Sequence, residues 1–426
     1  MRSNYLRAVC LCAAAAVLVA RTVPVARADD AAPDYKTMYE EQKKRDDALE
    51  KRIAALEEGT GKVATATAPA AVPTITQKSL DFLGQTEISG FAEASYLYNV
   101  NRGGGPQPVV GRTFDTHANQ FVFDDFKLAL EKPLNLNPTN WAVGYRADLI
   151  FGEDAAVIHS SGFNLGTDGD LEQAFIDVSV PIGNGLKVII GKTVTLMGVE
   201  VIEQVSNPNF SEGNQFLYVE NFTQTGVQLM YQWNDKIDTE FVVFNGWDQL
   251  PDNNNGLSYM GRIGYAPDSN TTIAVLGYGG PEQNNVTANW RDGVELVATR
   301  HITDKFTADF QADWGTENNV TIGEATFGNP DWFALGGWLI YDFTDKIELA
   351  FRQDFLRDKD GTRTQFAALP TGVTPEIYSS TLTLNLKPMD NFQFRPEIRW
   401  DHSDKPGTYN GERDQFTLGV GVAYLY

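Results

Sequence analysis

The sequence predicts an all-β protein: a transmembrane antiparallel up-and-down β-barrel of about 16 strands, preceded by a short N-terminal α-helical coiled coil. Three observations carry that prediction. From Thr86 to the end, segments of roughly 10 to 14 residues alternate apolar and polar side chains at a period of two. Their connections are by turns short and long. The chain then closes on QFTLGVGVAYLY, where Phe416, Leu418, Val420, Val422, Tyr424 and Tyr426 share one face and Thr417, Gly419, Gly421 and Ala423 the other. A strand with one face to lipid and one to a wet lumen has this pattern.

In chain order, residues 1–28 read as a secretory signal. Arg2 and Arg7 supply the positive start, Ala8 to Ala20 is a 13-residue apolar run, and Ala26-Arg27-Ala28 offers a small-residue cleavage site ending at Ala28. The run is too short to cross a bilayer as a helix, and no later stretch reaches 18 consecutive apolar residues. Cys10 and Cys12, the two cysteines, both fall in this segment, so the mature chain is expected to lack disulfides, thiol catalysis and Cys-ligated metals. Losing four arginines and no acids takes the formal net charge from −22 to −22 − 4 = −26. So acidic a chain is not expected to bind nucleic acid.

Residues 29–58 are helical in pattern. Tyr35, Tyr39, Gln42, Asp46, Leu49, Ile53 and Leu56 keep the 4,3 spacing of a coiled-coil seam. About three heptads with polar seam positions are marginal alone, so this periplasmic coil is expected to oligomerise or to dock on a periplasmic partner. Residues 59–85 form a low-complexity Ala/Thr/Pro linker, too poor in large apolar residues to pack.

Residues 86–426 are the barrel. Its short turns are LNPTN (near 134–140), PIGNG (181–185), WNDK (233–236), APDSN (266–270), ITDK (302–305), FTDK (343–346) and KPMDN (387–391). Pro, Asn, Asp and Gly accept turn dihedrals or hydrogen-bond their own backbone there. Long loops fall between them, near 101–118, 155–168, 194–221, 248–256, 280–290, 317–330, 358–376 and 403–412. Seven turns and eight loops make fifteen connections, hence sixteen strands. Such alternation suits an outer-membrane barrel with both termini on the periplasmic side. The faces agree: in FQFRPEIRWD, Phe392, Phe394, Pro396, Ile398 and Trp400 point outward, and Gln393, Arg395, Glu397, Arg399 and Asp401 inward. Pro396 cannot donate to a ladder, so a bulge is expected at it. Trp233, Tyr265, Trp314 and Tyr341 mark an aromatic girdle. The terminal aromatic strand is expected to close on the strand from Ile88 to Val100; such an end resembles the signal read by the barrel-insertion machinery.

At GFAEASYLYN (90–99), RTFDTHANQFVFDDFKLALEKP (112–133), GKTVTLMGVEVIEQVSNPNFS (191–211), TQTGVQLMY (223–231) and FNGWDQLPDNNNG (244–256), the chain resembles the OmpL-like β-barrel porin family. The likeness covers most of 90–426 and implies a barrel in the bacterial outer membrane, surrounded by its lipid, with channel activity and a substrate that is usually unassigned. The N-terminal coil lies outside it.

A barrel of this size leaves an aqueous channel rather than a side-chain core. The expected function is therefore a porin that passes ions and small hydrophilic solutes by passive diffusion. The longest loop, 194–221, carries Glu200, Glu203, Glu212 and Glu220 and no Lys or Arg; in rank and length it resembles the loop that general porins fold into the lumen. Arg146, Arg262, Arg352, Arg395 and Arg399 fall on polar strand faces, with Lys127 and Lys192 joining them. Two readings stand. Either wall arginines and loop glutamates set up a transverse field, or each Arg pairs with a neighbour, as Arg146 with Asp148, Arg352 with Asp354, and Arg399 with Glu397. The acidic total favours weak cation preference, and barrel size with the coil is compatible with a homotrimer.

Other signals are weaker. His117, His159, His301 and His402 are dispersed, with no metal-ligand spacing, and no metal or other cofactor is expected. TDGDLE (167–172) and DKDGT (358–362) are read as acidic turns ahead of Ca²⁺ loops. No catalytic motif appears, so an enzyme is not expected; His159-Ser160-Ser161 is the one local hint of a rim enzyme. The structural alternative is an outer-membrane anchor acting through the coil. The exported chain is expected to begin at Asp29, which mass spectrometry of its N-terminal peptide checks.

Overall fold

The structure, a computed structural model, describes residues 84–101, 107–162, 166 and 168–426. The signal, the coiled coil and nearly all of the linker lie outside the described residues. The barrel strands are β1 (Glu87–Asn99), β2 (Gln120–Lys132), β3 (Ala142–Phe151), β4 (Gly169–Val180), β5 (Leu186–Val194), β6 (Thr223–Asn234), β7 (Ile237–Phe244) and β8 (Ser258–Asp268). The second half adds β9 (Thr271–Pro281), β10 (Trp290–Thr303), β11 (Phe306–Glu317), β12 (Asp331–Thr344), β13 (Ile347–Asp358), β14 (Glu376–Met389), β15 (Phe392–Ser403) and β16 (Asp414–Leu425). Each pairs antiparallel with its sequence neighbours, and β1 pairs with β16, closing a barrel of sixteen strands. Closure leaves no strand edge, which the hydrocarbon region of a membrane would not tolerate.

Connections at one end span 2 to 9 residues, and those at the other 8 to 28. The short ones are built as their residues require. The Asn137 side chain accepts backbone N–H bonds from Thr139 and Asn140 at 2.8 and 3.1 Å. In the two TDK turns, Thr303 and Thr344 Oγ1 each accept the backbone N–H of the following lysine at 3.2 Å. Those two lysines, with Lys236 of the WNDK turn, also tie neighbouring turns together: Lys236 Nζ donates to Pro267 O at 2.9 Å, Lys305 Nζ to Phe343 O and Lys346 Nζ to Pro388 O, both at 3.2 Å.

The seam runs in register from Phe91↔Leu425 to Asn99↔Thr417. At its end Tyr426 exchanges backbone bonds with Gly90 at 3.0 and 3.1 Å, its hydroxyl donates to Lys127 O at 2.8 Å, and its ring stacks on Phe126. The bulge expected at Pro396 is absent. β15 keeps one register with β14 on both sides of it, Thr383↔Glu397 and Leu386↔Phe394, with the two intervening pairs lost from the ladder. Its pairing with β16 continues through Pro396↔Val420. The missing N–H costs ladder bonds on one side without an inserted residue, and Arg395 Nε bridges the gap to Asn385 Oδ1 at 2.8 Å.

Apolar and aromatic side chains cover the outer face, including Trp233, Tyr265, Trp314 and Tyr341 of the expected girdle. The inner face corrects an expectation. Instead of a lumen wet throughout, the described residues form four apolar clusters where loops pack on the wall, the smallest of Leu97, Val109 and Ala118 and three larger ones. One joins Phe114, Ile150, Ala155, Ile158, Ile202 and Phe216; a second includes Met197, Phe244, Trp247, Met260 and Tyr278; the third includes Tyr218, Val219, Trp332, Leu356, Phe366 and Tyr409. Residues 195–222 contribute to all three. Two short helices sit in these loops, α1 (Glu153–Ile158) and α2 (Asn214–Tyr218).

Tyr426→Ala removes the hydroxyl's hydrogen bond to Lys127 O on β2 and the ring contact with Phe126, together worth about 1–3 kcal/mol. Urea unfolding of the refolded barrel should show that loss, with Tyr426→Phe recovering the ring's share.

Candidate functional site

The 195–222 loop joins β5 to β6, which lie eight strands from β13 and β14 around the closed circle of sixteen. Most of its hydrogen bonds to the wall nevertheless fall on β10 to β15, so its chain crosses the barrel interior. Arg352 of β13 is the central anchor. Its guanidinium pairs with Glu200 and donates to Ser211 O, reaches Thr381 Oγ1 at 3.0 Å, and meets Asp354 at 3.2 Å. Glu200 also accepts the Gly213 N–H at 2.6 Å. A Cβ at Gly213 would stand 3.1–3.3 Å from Glu200, Asp354 and Arg352, so glycine there lets the loop backbone come this close.

Glu397 of β15 is the second anchor. It accepts the Phe210 and Ser211 N–H groups at 2.9 and 3.1 Å, the Ser211 hydroxyl at 2.5 Å and the Thr383 hydroxyl at 2.7 Å. Arg395 and Arg399 bind the loop by its carbonyls: Arg395 donates to Gln204 O and, at 2.6 Å, to Asn207 O; Arg399 donates to Glu212 O at 2.6 Å and pairs with Asp401 at 2.8 Å. Farther round, Gly198 N–H donates to Glu295 and Val199 N–H to Gln311, both at 2.9 Å, and Gln215 donates to Asp313 at 2.6 Å.

The sequence-predicted basic residues therefore divide. Arg352, Arg395 and Arg399 are buried against the loop. Lys127 of β2 joins them, contacting Glu203 of the loop along with Glu172 at 2.9 Å and Asp148 at 3.1 Å. Arg146 and Arg262 do not touch the loop. Their side chains stay 30% and 25% exposed and pair with wall acids, Arg146 with Asp148 and Glu131, Arg262 with Asp238 and Glu240. Arg399 takes Asp401 as its carboxylate where Glu397 was expected. Lys192 pairs with Asp170 at 2.8 Å.

The loop glutamates differ too. Glu200 and Glu203 meet cations. Glu212 and Glu220 do not: burial, then the charges of Glu200 on the first and of Asp313 on the second, push both carboxyls well above the usual range. Burial also acts on Glu203, but the Lys127 ammonium outweighs it and holds that carboxyl below its ordinary value.

Sequence reasoning missed Arg112. It reaches into the barrel from the first long loop, pairs with Asp401 at 2.7 Å and with Asp115, and donates to Thr417 at 3.0 Å. It lies on no strand, so period-two reading had no face to place it on. The remaining motifs are occupied structurally. Ser160 is fully buried with its hydroxyl 2.9 Å from Thr223 Oγ1, which closes it to a substrate. Asp358 of DKDGT accepts the Arg363 and Thr364 N–H groups at 2.9 and 2.7 Å, as an acidic turn does. Asp148, Glu172 and Glu203 gather at metal-ligand distance, but the Lys127 ammonium contacts all three.

A closed antiparallel barrel with an apolar outer belt, a charged inner wall and a long loop drawn inside it is an outer-membrane β-barrel of the porin class. The sequence matches the family described as "Putative beta-barrel porin-2, OmpL-like" over residues 85–426, and the chain belongs to that family. Its fold is similar to that of an anion-selective porin from Comamonas acidovorans, at 8% identity and TM-score 0.56, over 80% of this chain and 99% of that one. It is similar also to Pseudomonas putida OprB in a high-pH structure, at 12% identity and TM-score 0.54, over 82% and 96% of the two chains. A third likeness is to the trimer form of in-vitro folded OmpT, an outer membrane protein of Vibrio cholerae, at 10% identity and TM-score 0.53, over 80% and 99%. At such identities the likeness is one of fold alone. None of the curated proteins matches by sequence.

Two outcomes follow for the loop. Glu397→Ala leaves the Phe210 and Ser211 N–H groups without their acceptor at about 1–3 kcal/mol each, so chymotrypsin should cut after Phe210 in the folded barrel faster than in the parent. Glu212 and Glu220 hold protons when docked that they would lose when solvated. Docking should therefore weaken as pH rises above the ordinary glutamate value of about 4.3 toward their raised values, and cleavage should speed up across that window.

Proposed function

We propose that this protein is a passive diffusion channel for ions and small hydrophilic solutes, with the lumen narrowed by the 195–222 loop. The observation that carries the reading is the loop's attachment, through Arg352, Glu397, Arg395 and Arg399, to the wall opposite its origin. In this reading the wall arginines hold the constriction in place. Arg146 and Arg262, still partly exposed among acids, are left to meet passing ions. The acidic total of the chain, formally −22, favours weak cation selectivity. A trimeric assembly is part of the proposal, supported by the trimer form of one fold relative. So is a periplasmic role for residues 29–58, whose coiled-coil spacing fits self-association or a periplasmic partner.

The test is conductance and reversal potential of the folded chain in a planar bilayer under a salt gradient. A small, weakly cation-selective conductance is expected. Arg352→Ala combined with Glu397→Ala should release the loop and raise single-channel conductance several-fold, with less effect from Arg262→Ala. A folded parent with no conductance would overturn the channel reading. An unchanged conductance in the double variant would overturn the constriction.

A further inference from the structure

β1 and β2 change register between Glu93 and Ala94. Glu93 faces Asp125, Ala94 faces Phe123, and Asp124 is the extra residue of a bulge. A bulge re-aims side chains that strict alternation would send to opposite faces. Here it turns two consecutive carboxylates inward: Asp124 and Asp125 are 3% and 4% exposed, whereas Phe123 and Phe126 beside them are 52% and 37% exposed on the outer face. Glu93, the register partner, is buried with them.

A fourth carboxylate arrives from α1. Gly152, which caps the helix, has φ +136°, and a Cβ on it would run into the Asp124 carbonyl and the Asp125 Cα. Glycine lets the loop settle directly on the bulge, and Asp154, two residues on, is buried there. Burial and then the charges of Asp124 and Asp125 push the Asp154 carboxyl well up.

Among the described residues, only one hydrogen bond reaches the four acids, from the Ser95 hydroxyl to Asp124 Oδ1 at 2.8 Å. Glu93 Oε1, Asp124 Oδ2, Asp125 Oδ1 and Asp154 Oδ1 are buried without a hydrogen-bond partner. The neighbouring cations are bound elsewhere, Lys127 to Asp148, Glu172 and Glu203, and Arg395 to Asn385 and the loop carbonyls. Carboxylates so placed must take up protons or a cation.

We propose that Glu93, Asp124, Asp125 and Asp154 form a site for a hard divalent cation of the Ca²⁺ class. Oxygen-only donors exclude soft metals. No three of the four hold ligand oxygens within 4.8 Å of one another, so coordination needs side-chain rotation. The irregular shell of Ca²⁺ accommodates that, and the strict octahedron of Mg²⁺ does not. The ion would fasten α1 to the β1–β2 bulge and so hold Ala155 and Ile158 in the cluster with Phe114, Ile202 and Phe216.

The experiment is calorimetric titration of CaCl₂ into the full folded chain in detergent after chelation, with MgCl₂ in parallel. One Ca²⁺ per chain is expected, with a dissociation constant on the order of 0.1–1 mM. Asp124→Asn and Asp154→Asn should each weaken it at least about tenfold, and Asp360→Asn, in the 358–362 turn, should not. Thermal unfolding supplies a second readout: the two Asn variants should melt above the parent without Ca²⁺, since repulsion is relieved, and should lose the rise that Ca²⁺ gives the parent. Absence of binding by the parent, or binding that both Asn variants retain, overturns the site. Equal binding of Mg²⁺ overturns the choice of ion class.

Discussion

The interior of this barrel depends on one mutual requirement: buried wall charges and loop backbone satisfy each other. Arg352, Arg395, Arg399 and Glu397 sit almost out of solvent. A buried ion left alone costs several kcal/mol. A crossing loop, for its part, brings N–H and C=O groups that also cannot stay unpaired. Glu397 takes two successive amides, Arg395 takes two carbonyls, and Arg352 takes one carbonyl and one carboxylate. Each side resolves the other's desolvation, so the loop has a defined resting place on the far wall.

That arrangement explains how apolar side chains come to lie inside a barrel whose walls are polar. Once the 195–222 loop is fixed, Met197, Ile202, Phe216, Tyr218 and Val219 are carried into three places, and other loops bury Phe114, Ile158, Trp247, Phe366 and Tyr409 against them. The loop-bearing end gains cores of its own, while Arg146 and Arg262 remain partly wet.

Much of the framework was legible because β-structure in lipid constrains sequence twice over. Each strand must alternate, and each short turn must use residues that satisfy their own backbone. The seven turns, the strand count and the inward set Gln393, Arg395, Glu397, Arg399 and Asp401 are all seen in the fold. Pro396 shows the limit: a missing N–H is visible in sequence, but whether the chain inserts a residue or surrenders two ladder pairs depends on the neighbouring strand. Arg112 shows another, since a loop residue has no periodicity to report where it points.

For this protein, the sequence by itself determined the barrel, its sixteen strands, its faces and the candidate charges, since local alternation and turn chemistry act over a few residues. Only the tertiary structure decided which charges meet. Arg352 finds Glu200 across 152 positions of sequence, Arg395 finds the Asn207 carbonyl across 188, and the bulge at Asp124 sets two neighbouring acids side by side. Those encounters are set by barrel closure and by the path of a loop through the interior, neither of which leaves a periodic trace in the chain.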